Sequence, residues 1–304
     1  MSGFPLPVDD STQSWLRANG FSEIQAYQQI GGESHNRCYL LTGTHNEKLV
    51  AKIAAPAAVQ NPLPEDDNPG KSAFEKEAYG LKLIAGTKSI RTPEVVHVSE
   101  DCLLLEYLPA AQQQAQYWSI LADELAQMHR GVHLPSERFG LDHNNYCGAN
   151  IQVNGWFDDG YEFFADQRLL FQARMAYDNG LLETPWVIHI ESICERLTDL
   201  IPLQPASLVH GDLWSGNILV DDNGHPALID PAAHYGWREA DIAMTLLFGG
   251  LPHEFYVSYD EIWPMEPQWR SRVHLYNLYH LLNHLNIFGS SYLEQVHNAI
   301  GRYA

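Results

Sequence analysis

The stretch from Leu208 to Pro231, LVHGDLWSGNILVDDNGHPALIDP, restricts what this chain can become more than any other. A short apolar run leads into His210-Gly211-Asp212. Asn217 follows Asp212 by five residues, and Asp230 follows Asn217 by thirteen, behind a second apolar run, Ala227-Leu228-Ile229. The pattern predicts short strands flanking a polar loop that carries a carboxylate, a carboxamide and a further carboxylate. Phosphoryl transfer needs such a set: a base to align an acceptor hydroxyl and take its proton, and two oxygen ligands for Mg²⁺ on the nucleotide phosphates. Asp212 is therefore the expected catalytic residue. Asn217 and Asp230 are the expected metal ligands, since Mg²⁺ is hard and takes oxygen. Asp221 and Asp222 compete on chemistry alone, but Asp221-Asp222-Asn223-Gly224 reads as a hairpin turn, where such residues are ordinary. A lone His-Gly-Asp would also be a turn; the spacing to Asn217 and Asp230 favours catalysis.

Phosphate-bound chemistry in this chain needs local cations. Acidic residues number 38 against 18 basic, for a formal net charge of −20. Such a surface repels nucleic acid and anionic membranes, and no basic run reverses it. Lys52 lies in the apolar strand-like run Leu49-Val50-Ala51-Lys52-Ile53. A lysine there is costly to bury unpaired, so it should have an acidic partner and serve the α- and β-phosphates of ATP. Glu77, near the inward stripe of the next helix, is the natural partner, with Glu75 as the alternative; an edge-strand lysine that blocks aggregation is the plain structural reading. The glycine turn Gly31-Gly32-Glu33-Ser34-His35-Asn36 precedes that strand and could wrap phosphates with backbone amides, although two adjacent glycines also suit a simple hairpin.

The rest of the chain supplies two differing textures. Up to residue 108 the expected elements are a helix over Ser11–Asn19 with Ser11 as its cap, strands around the glycine turn, at Cys38–Thr42 and at Leu49–Ile53, a helix over Phe74–Ala85, and strands at Val95–Val98 and Cys102–Tyr107. Residues 55–70, with four prolines and Glu65-Asp66-Asp67, read as a loop. Beyond Pro109 come expected helices over Tyr117–Arg130, Tyr161–Asn179, Trp186–Leu200, Glu239–Phe248 and Trp269–Phe288, with loop-rich residues 131–160. The expected fold class is α+β and bilobal: a small β-rich nucleotide-binding lobe over 1–108 with one main helix, a hinge about 105–109, and a large, mainly helical catalytic and substrate-binding lobe over 109–304. ATP would lie in the cleft between them, with Glu106 to Leu108 offering backbone groups to adenine.

Cys38, Cys102, Cys147 and Cys194 are widely spread, with no Cys-x-x-Cys pair, so no zinc motif is supported and a reducing cytoplasm is the simplest setting. The N-terminus lacks the features of a signal peptide, and no apolar run is long enough for a transmembrane helix. His280 and His284 are four apart on one expected helix, yet without a recognisable third ligand they read as structural. Trp214 and Trp237 flank the catalytic stretch; core packing is the default for each, and contact with a sugar is the functional reading.

With these residues in place the chain resembles the fructosamine kinase (ketosamine-3-kinase) family, relatives of aminoglycoside phosphotransferases. The resemblance rests on GGESHNRCYLL, FEKEAYGLKLI, LLLEYL, FGLDHNNYCGANIQVNGWFDDGYEFFADQRL, LVHGDLWSGN, IDPAAHYGWREADIAMTLLFGG and YNLYHLLNHLNIFG. It implies a protein kinase-like fold and ATP- and Mg²⁺-dependent phosphorylation of the 3-hydroxyl of a ketosamine, a fructosamine or ribulosamine adduct of an amine or a protein, leading to deglycation. Carried over by position, it makes Asp212 the base, Asn217 and Asp230 metal ligands, Lys52 and Glu77 the ion pair, and Glu106 with Leu108 the hinge; the expected assembly is a monomer. Trp214, Trp237, Arg238 and Glu239 are the candidate substrate contacts. Trp237 stands where polar residues are usual in the family, and the glycine turn holds no cysteine to link protomers. A kinase for another amino sugar or an aminoglycoside, and a nucleotide-binding pseudokinase, are the alternatives.

Overall fold

Alternating apolar residues dictate the N-terminal sheet. The computed structural model describes residues 6–32, 36–55, 72–131 and 137–303. Helix α1 (Asp10–Ala18) is followed by β1 (Ala26–Gly31), β2 (Asn36–Thr42) and β3 (Lys48–Ala54), then α2 (Ala73–Gly86), β4 (Val95–Val98) and β5 (Cys102–Glu106). The strands form one antiparallel sheet in the order β1-β2-β3-β5-β4. Leu49, Ala51 and Ile53 pack on the α1 side with Leu16 and Phe21, while Val50 and Ala54 face α2 with Phe74, Ala78 and Leu81. Lys52 falls in the second register and so points at α2.

The cap of α1 is Asp9, not Ser11. Its carboxylate accepts from Thr12 N at 2.9 Å, and from the hydroxyls of Ser11 and Ser99. A carboxylate reaches several donors at once, where the Ser11 hydroxyl could serve one. Ser72 and Glu75 form a reciprocal capping box at the start of α2. Glu75 is thereby committed to the cap, which leaves Glu77 as the partner for Lys52.

The C-terminal part is built on helices: α3 (Tyr117–Arg130), α4 (Gly160–Phe164), α5 (Phe171–Asp178), α6 (Thr184–Glu195), α7 (Leu197–Leu200), α8 (Arg238–Leu247), α9 (His253–Ile262), α10 (Trp269–Phe288) and α11 (Leu293–Ile300). A π-helical stretch, Ala165–Leu170, joins α4 to α5, so the expected helix over Tyr161–Asn179 is continuous but widened in its middle. Residues 137–160, expected as loop, carry four short strands: β6 (Phe139–Leu141), β7 (Asn145–Cys147), β8 (Asn150–Gln152) and β9 (Gly155–Phe157). Three-residue strands leave too little alternation to be recognised.

The opening segment supplies β10 (Ser207–Val209), β11 (Ile218–Val220), β12 (Pro226–Leu228) and, just beyond it, β13 (His234–Gly236). β10 and β13 join β6 and β9 in one sheet; β11 and β12 form a hairpin. Leu208, Leu213, Leu228, Ala233 and Tyr235 are buried in the main core with Leu121, Leu125, Leu278 and Leu282. Each buried leucine among them contributes about 1.5–3 kcal/mol on burial, so the polar loop is anchored on both sides by core residues. No helix of the described residues is long and apolar enough to cross a membrane.

Candidate active site

The loop after β10 is held from beneath by one buried carboxylate. Asp241, in the first turn of α8, accepts the His210 amide at 2.7 Å on Oδ2 and the Gly211 amide at 2.9 Å on Oδ1. His129 of α3 lies 3.1 Å from the same Oδ2, and its other ring nitrogen is 2.7 Å from the Tyr259 hydroxyl. Burial works to raise the Asp241 pKa, but the hydrogen bond and charge of His129, with the amides, hold it below its usual value. The His210 ring, fully buried, accepts from the Asp212 amide at Nδ1 and donates from Nε2 to Ile229 O, 2.9 Å away. This fixes its tautomer and ties the Asp212 loop to the residue before Asp230. Gly211 has φ +82°, and a Cβ there would lie 2.2 Å from Ala232 O; only glycine fits.

Asp212, Asn217, Asp230, Lys52 and Glu77 are brought together by this framework. Asn217 closes a 3₁₀ turn over Ser215–Asn217 and donates from Nδ2 to Asp212 O at 2.9 Å and Asp212 Oδ2 at 3.2 Å. With its nitrogen turned to Asp212, its oxygen is the end left for a cation. Lys52 Nζ lies 2.7 Å from Glu77 Oε1 and 2.6 Å from Asp230 Oδ1. Burial alone would lower the lysine pKa; the two carboxylates outweigh it and hold the group firmly protonated. Asp230 sits in the left-handed region at φ 57°, which aims its side chain back toward Lys52; that side chain is 42% exposed. A carboxamide oxygen and a carboxylate make a hard, all-oxygen donor pair suited to Mg²⁺.

The glycine turn is seen in part. Gly31 ends β1, Asn36 opens β2, and Gly32, at φ +124°, leaves no room for a Cβ beside Arg37 and Asn36 O. Ser34 and His35 lie outside the described residues, as does most of the 55–70 loop. At the expected hinge Leu108 is buried, and the Glu106 amide donates to Glu94 O at 2.9 Å. The Glu106 carboxylate instead holds Arg91, whose guanidinium also meets Asp221 at 2.7 Å and Asp222 at 2.5 Å. Asp221 and Asp222 do occupy the β11–β12 turn, with Asp221 capping the amides of Asn223 and His225, and through Arg91 they also couple that turn to the end of β5.

Trp214 stands apart from the other substrate candidates. It is 38% exposed, packs edge-on against Phe248 at 6.0 Å, and lies so close over Gly216 that a Cβ there would strike its ring. Trp237, Arg238 and Glu239 are corrected: all three are buried. Trp237 packs among Phe139, Tyr161, Phe164 and Tyr276. Arg238 stacks on Trp263 at 3.9 Å and donates to the Trp263 and Pro264 carbonyls. Glu239 forms a two-pronged pair with Arg272 at 2.7 and 2.8 Å. The charged groups of Arg238 and Glu239 are thus satisfied inside the protein, and the Trp237 ring is enclosed by other aromatic rings.

The β7–β8 hairpin forms a second wall. Asn145 Nδ2 and Gln152 Nε2 donate to Ala233 O and Ala232 O, both at 2.9 Å, and Tyr279 of α10 donates to Gln152 Oε1 at 2.8 Å. Sequence reading missed this hairpin, Arg91, His129 and Asp241. For Asp241 a signal exists: it lies on the stripe of α8 that also holds Ile242 and Thr245. An acidic residue in a first helical turn is so ordinary, however, that it conceals the role.

Comparison with known proteins agrees with this architecture. The family model described as fructosamine kinase matches residues 9–304. A protein of Synechocystis named "Probable ketoamine kinase" is 41% identical over 227 residues, covering 73% of this chain and 75% of its own. The rice (Oryza sativa subsp. japonica) chloroplastic protein-ribulosamine 3-kinase is 36% identical over 317 residues, 97% of this chain and 84% of its own. A crystal structure from Thermobifida fusca, assigned as a fructosamine-3-kinase, superposes with a TM-score of 0.82 at 28% identity, covering 97% of this chain and 99% of that one. An aminoglycoside phosphotransferase bound to gentamicin shares the fold, with a TM-score of 0.62 at 15% identity. The chain has the bilobal, protein kinase-like fold and belongs to the fructosamine kinase family.

Proposed function

We propose that this protein transfers the γ-phosphoryl group of ATP to the 3-hydroxyl of a ketosamine, and that Asp212 is the base. The observation that carries the reading is that Asn217 holds Asp212, Lys52 pairs with Glu77 and Asp230, and the two sets are joined through Ile229, whose amide donates to Asn217 O at 3.1 Å. Asp212 aligns the acceptor hydroxyl and takes its proton late in transfer, while the Asn217 amide keeps the carboxylate in place. Lys52, kept charged by Glu77, holds the α- and β-phosphates. Asn217 and Asp230 would hold Mg²⁺, which supplies charge neutralisation on the phosphates when bound. The backbone amides around Gly31, Gly32 and Asn36 cover the phosphates. Trp214 supports one face of the sugar.

The relatives' names give the substrate class: ketoamines for the Synechocystis protein and protein-bound ribulosamine for the rice protein. Both free and protein-linked adducts are within this reading, and the acidic surface suits a cationic amine. The test is phosphate transfer from Mg-ATP to a fructosamine, a ribulosamine and an aminoglycoside, compared side by side. Turnover on a ketoamine, with none on the antibiotic, is expected. Activity on the antibiotic alone would refute the substrate assignment.

A further inference from the structure

One cluster beside the catalytic base has a chemistry that phosphoryl transfer does not call for. A ligand atom each from Cys147, Asp212 and His280 lies within 4.8 Å of the other two. Cys147 ends β7, Asp212 belongs to the loop after β10, and His280 lies mid-way along α10, so only the fold brings them together. Cys147 and His280 are both buried, at 3% and 4% exposure. The His280 Nδ1 is buried without a hydrogen-bond partner, so that atom is not committed to a protein neighbour. The backbone of Cys147 is fixed to the same helix, because Asn283 Nδ2 donates to Cys147 O at 3.1 Å. Asn283 Oδ1 in turn accepts from Asn150 at 2.9 Å and from Gln172 at 3.3 Å. The Tyr279 hydroxyl contacts Cys147 from the same helix.

We propose that Cys147, Asp212 and His280 form a binding site for a borderline divalent cation of the Zn²⁺ type, and that occupancy switches the enzyme off. Sulfur, imidazole nitrogen and carboxylate oxygen are the donors Zn²⁺ takes, with bonds of about 2.0–2.3 Å and a fourth position left for water. Mg²⁺ does not take a thiolate. The chain therefore holds two cation sites that differ in hardness: Asn217 with Asp230 for Mg²⁺, and this trio for Zn²⁺. On binding, the Cys147 S–H bond breaks, an S–Zn bond forms, and the proton passes to solvent. The thiolate and the Asp212 carboxylate then balance the charge of the dication. Inhibition follows because the carboxylate that should receive the acceptor proton is engaged by the metal. That last step rests on Asp212 being the base; the binding site itself does not.

The test uses the whole protein without nucleotide, in excess Mg²⁺ so that the oxygen site is masked. Equilibrium dialysis against Zn²⁺ should give one ion per chain. Co²⁺ in its place should give a thiolate-to-metal charge-transfer band. Cys147→Ser should abolish the band, and Cys147→Ser and His280→Asn should each weaken Zn²⁺ binding by more than roughly 100-fold. Two variants guard against one failing to fold. Zinc should inhibit phosphate transfer by the wild type at stoichiometric loading and by neither variant. Equal binding by all three proteins, a cobalt complex without the thiolate band, or full turnover with zinc bound would each overturn the proposal. Dialysis and spectrum need no substrate, so they stand or fall apart from the ketosamine reading.

Discussion

Replacing Asp241 with Asn should separate the support of the catalytic loop from nucleotide binding. Each Asp241 oxygen accepts a different backbone amide, at 2.7 and 2.9 Å, and His129 adds a further contact at 3.1 Å. Asn offers one acceptor oxygen and one donor nitrogen. One of the amides of His210 and Gly211 must then face an NH₂ group, which leaves a buried donor unmet at about 1–3 kcal/mol. The surviving bonds also lose their charge, roughly halving them. Together the loss should be about 3–5 kcal/mol of stability at neutral pH, read as a lower urea midpoint with an unchanged slope. Asp241 has a depressed pKa, so its stabilisation is present above the ordinary carboxyl value of 3.8 and is lost as pH falls through the lower folded value. The gap between variant and wild type should therefore be widest at neutral pH and close in acid. In assays kcat should fall by roughly 10²-fold, the effect of a small displacement of a reacting group. The KM for Mg-ATP should change little, because Lys52 and Glu77 are held independently. An unchanged urea midpoint, or a rise in the KM for ATP with kcat intact, would refute the reasoning.

Further perturbations test other parts of the structure. Lys52→Met should lower kcat/KM for Mg-ATP by roughly 10²- to 10³-fold, measured by steady-state kinetics, since it removes the cation facing Glu77 and Asp230. Gly211→Ala should cost at least about 3 kcal/mol in chemical denaturation, given φ +82° and the Ala232 carbonyl 2.2 Å from the new Cβ. Glu124, with a buried Oε2 that has no hydrogen-bond partner, is pushed up to about 7 by burial and then by Asp123 and Asp221. Its folded pKa lies above its ordinary 4.5, so stability falls as pH rises from there through about 7. Glu124→Gln should then match the wild type at pH 5 and exceed it by about 1–2 kcal/mol at pH 8, after allowance for partial exposure. Thermal unfolding at the two pH values measures it.

The legible parts of this chain were those where one physical constraint dominates a local window. The helical period of Trp269–Phe288 marks α10 at its observed ends, and a lysine in an apolar strand demands a partner, which led to Glu77. Residues linked only through the fold were not legible. Asp241, His129 and His210 lie far apart in sequence yet form one network beneath the loop. His280 was expected with His284 because they share a helix face. The structure instead sets His280 beside Cys147 and Asp212, while His284 Nδ1 meets His280 O at 2.7 Å and its ring stacks on Phe288 and Tyr292. Trp237, Arg238 and Glu239 drew attention by lying near the catalytic stretch; burial, which depends on α10 and on the Trp263 segment, gave them structural duties.

The central claim is that Asp212 takes the proton of a ketosamine hydroxyl while other groups hold the nucleotide. Asp212→Asn examines this directly when single-turnover phosphate transfer to a ribulosamine and the Kd for Mg-ATP are measured on the same preparation. The account predicts that transfer falls by roughly 10²- to 10⁴-fold and that the Kd stays near the wild-type value. Transfer close to wild type, or loss of nucleotide binding with residual transfer, would contradict it.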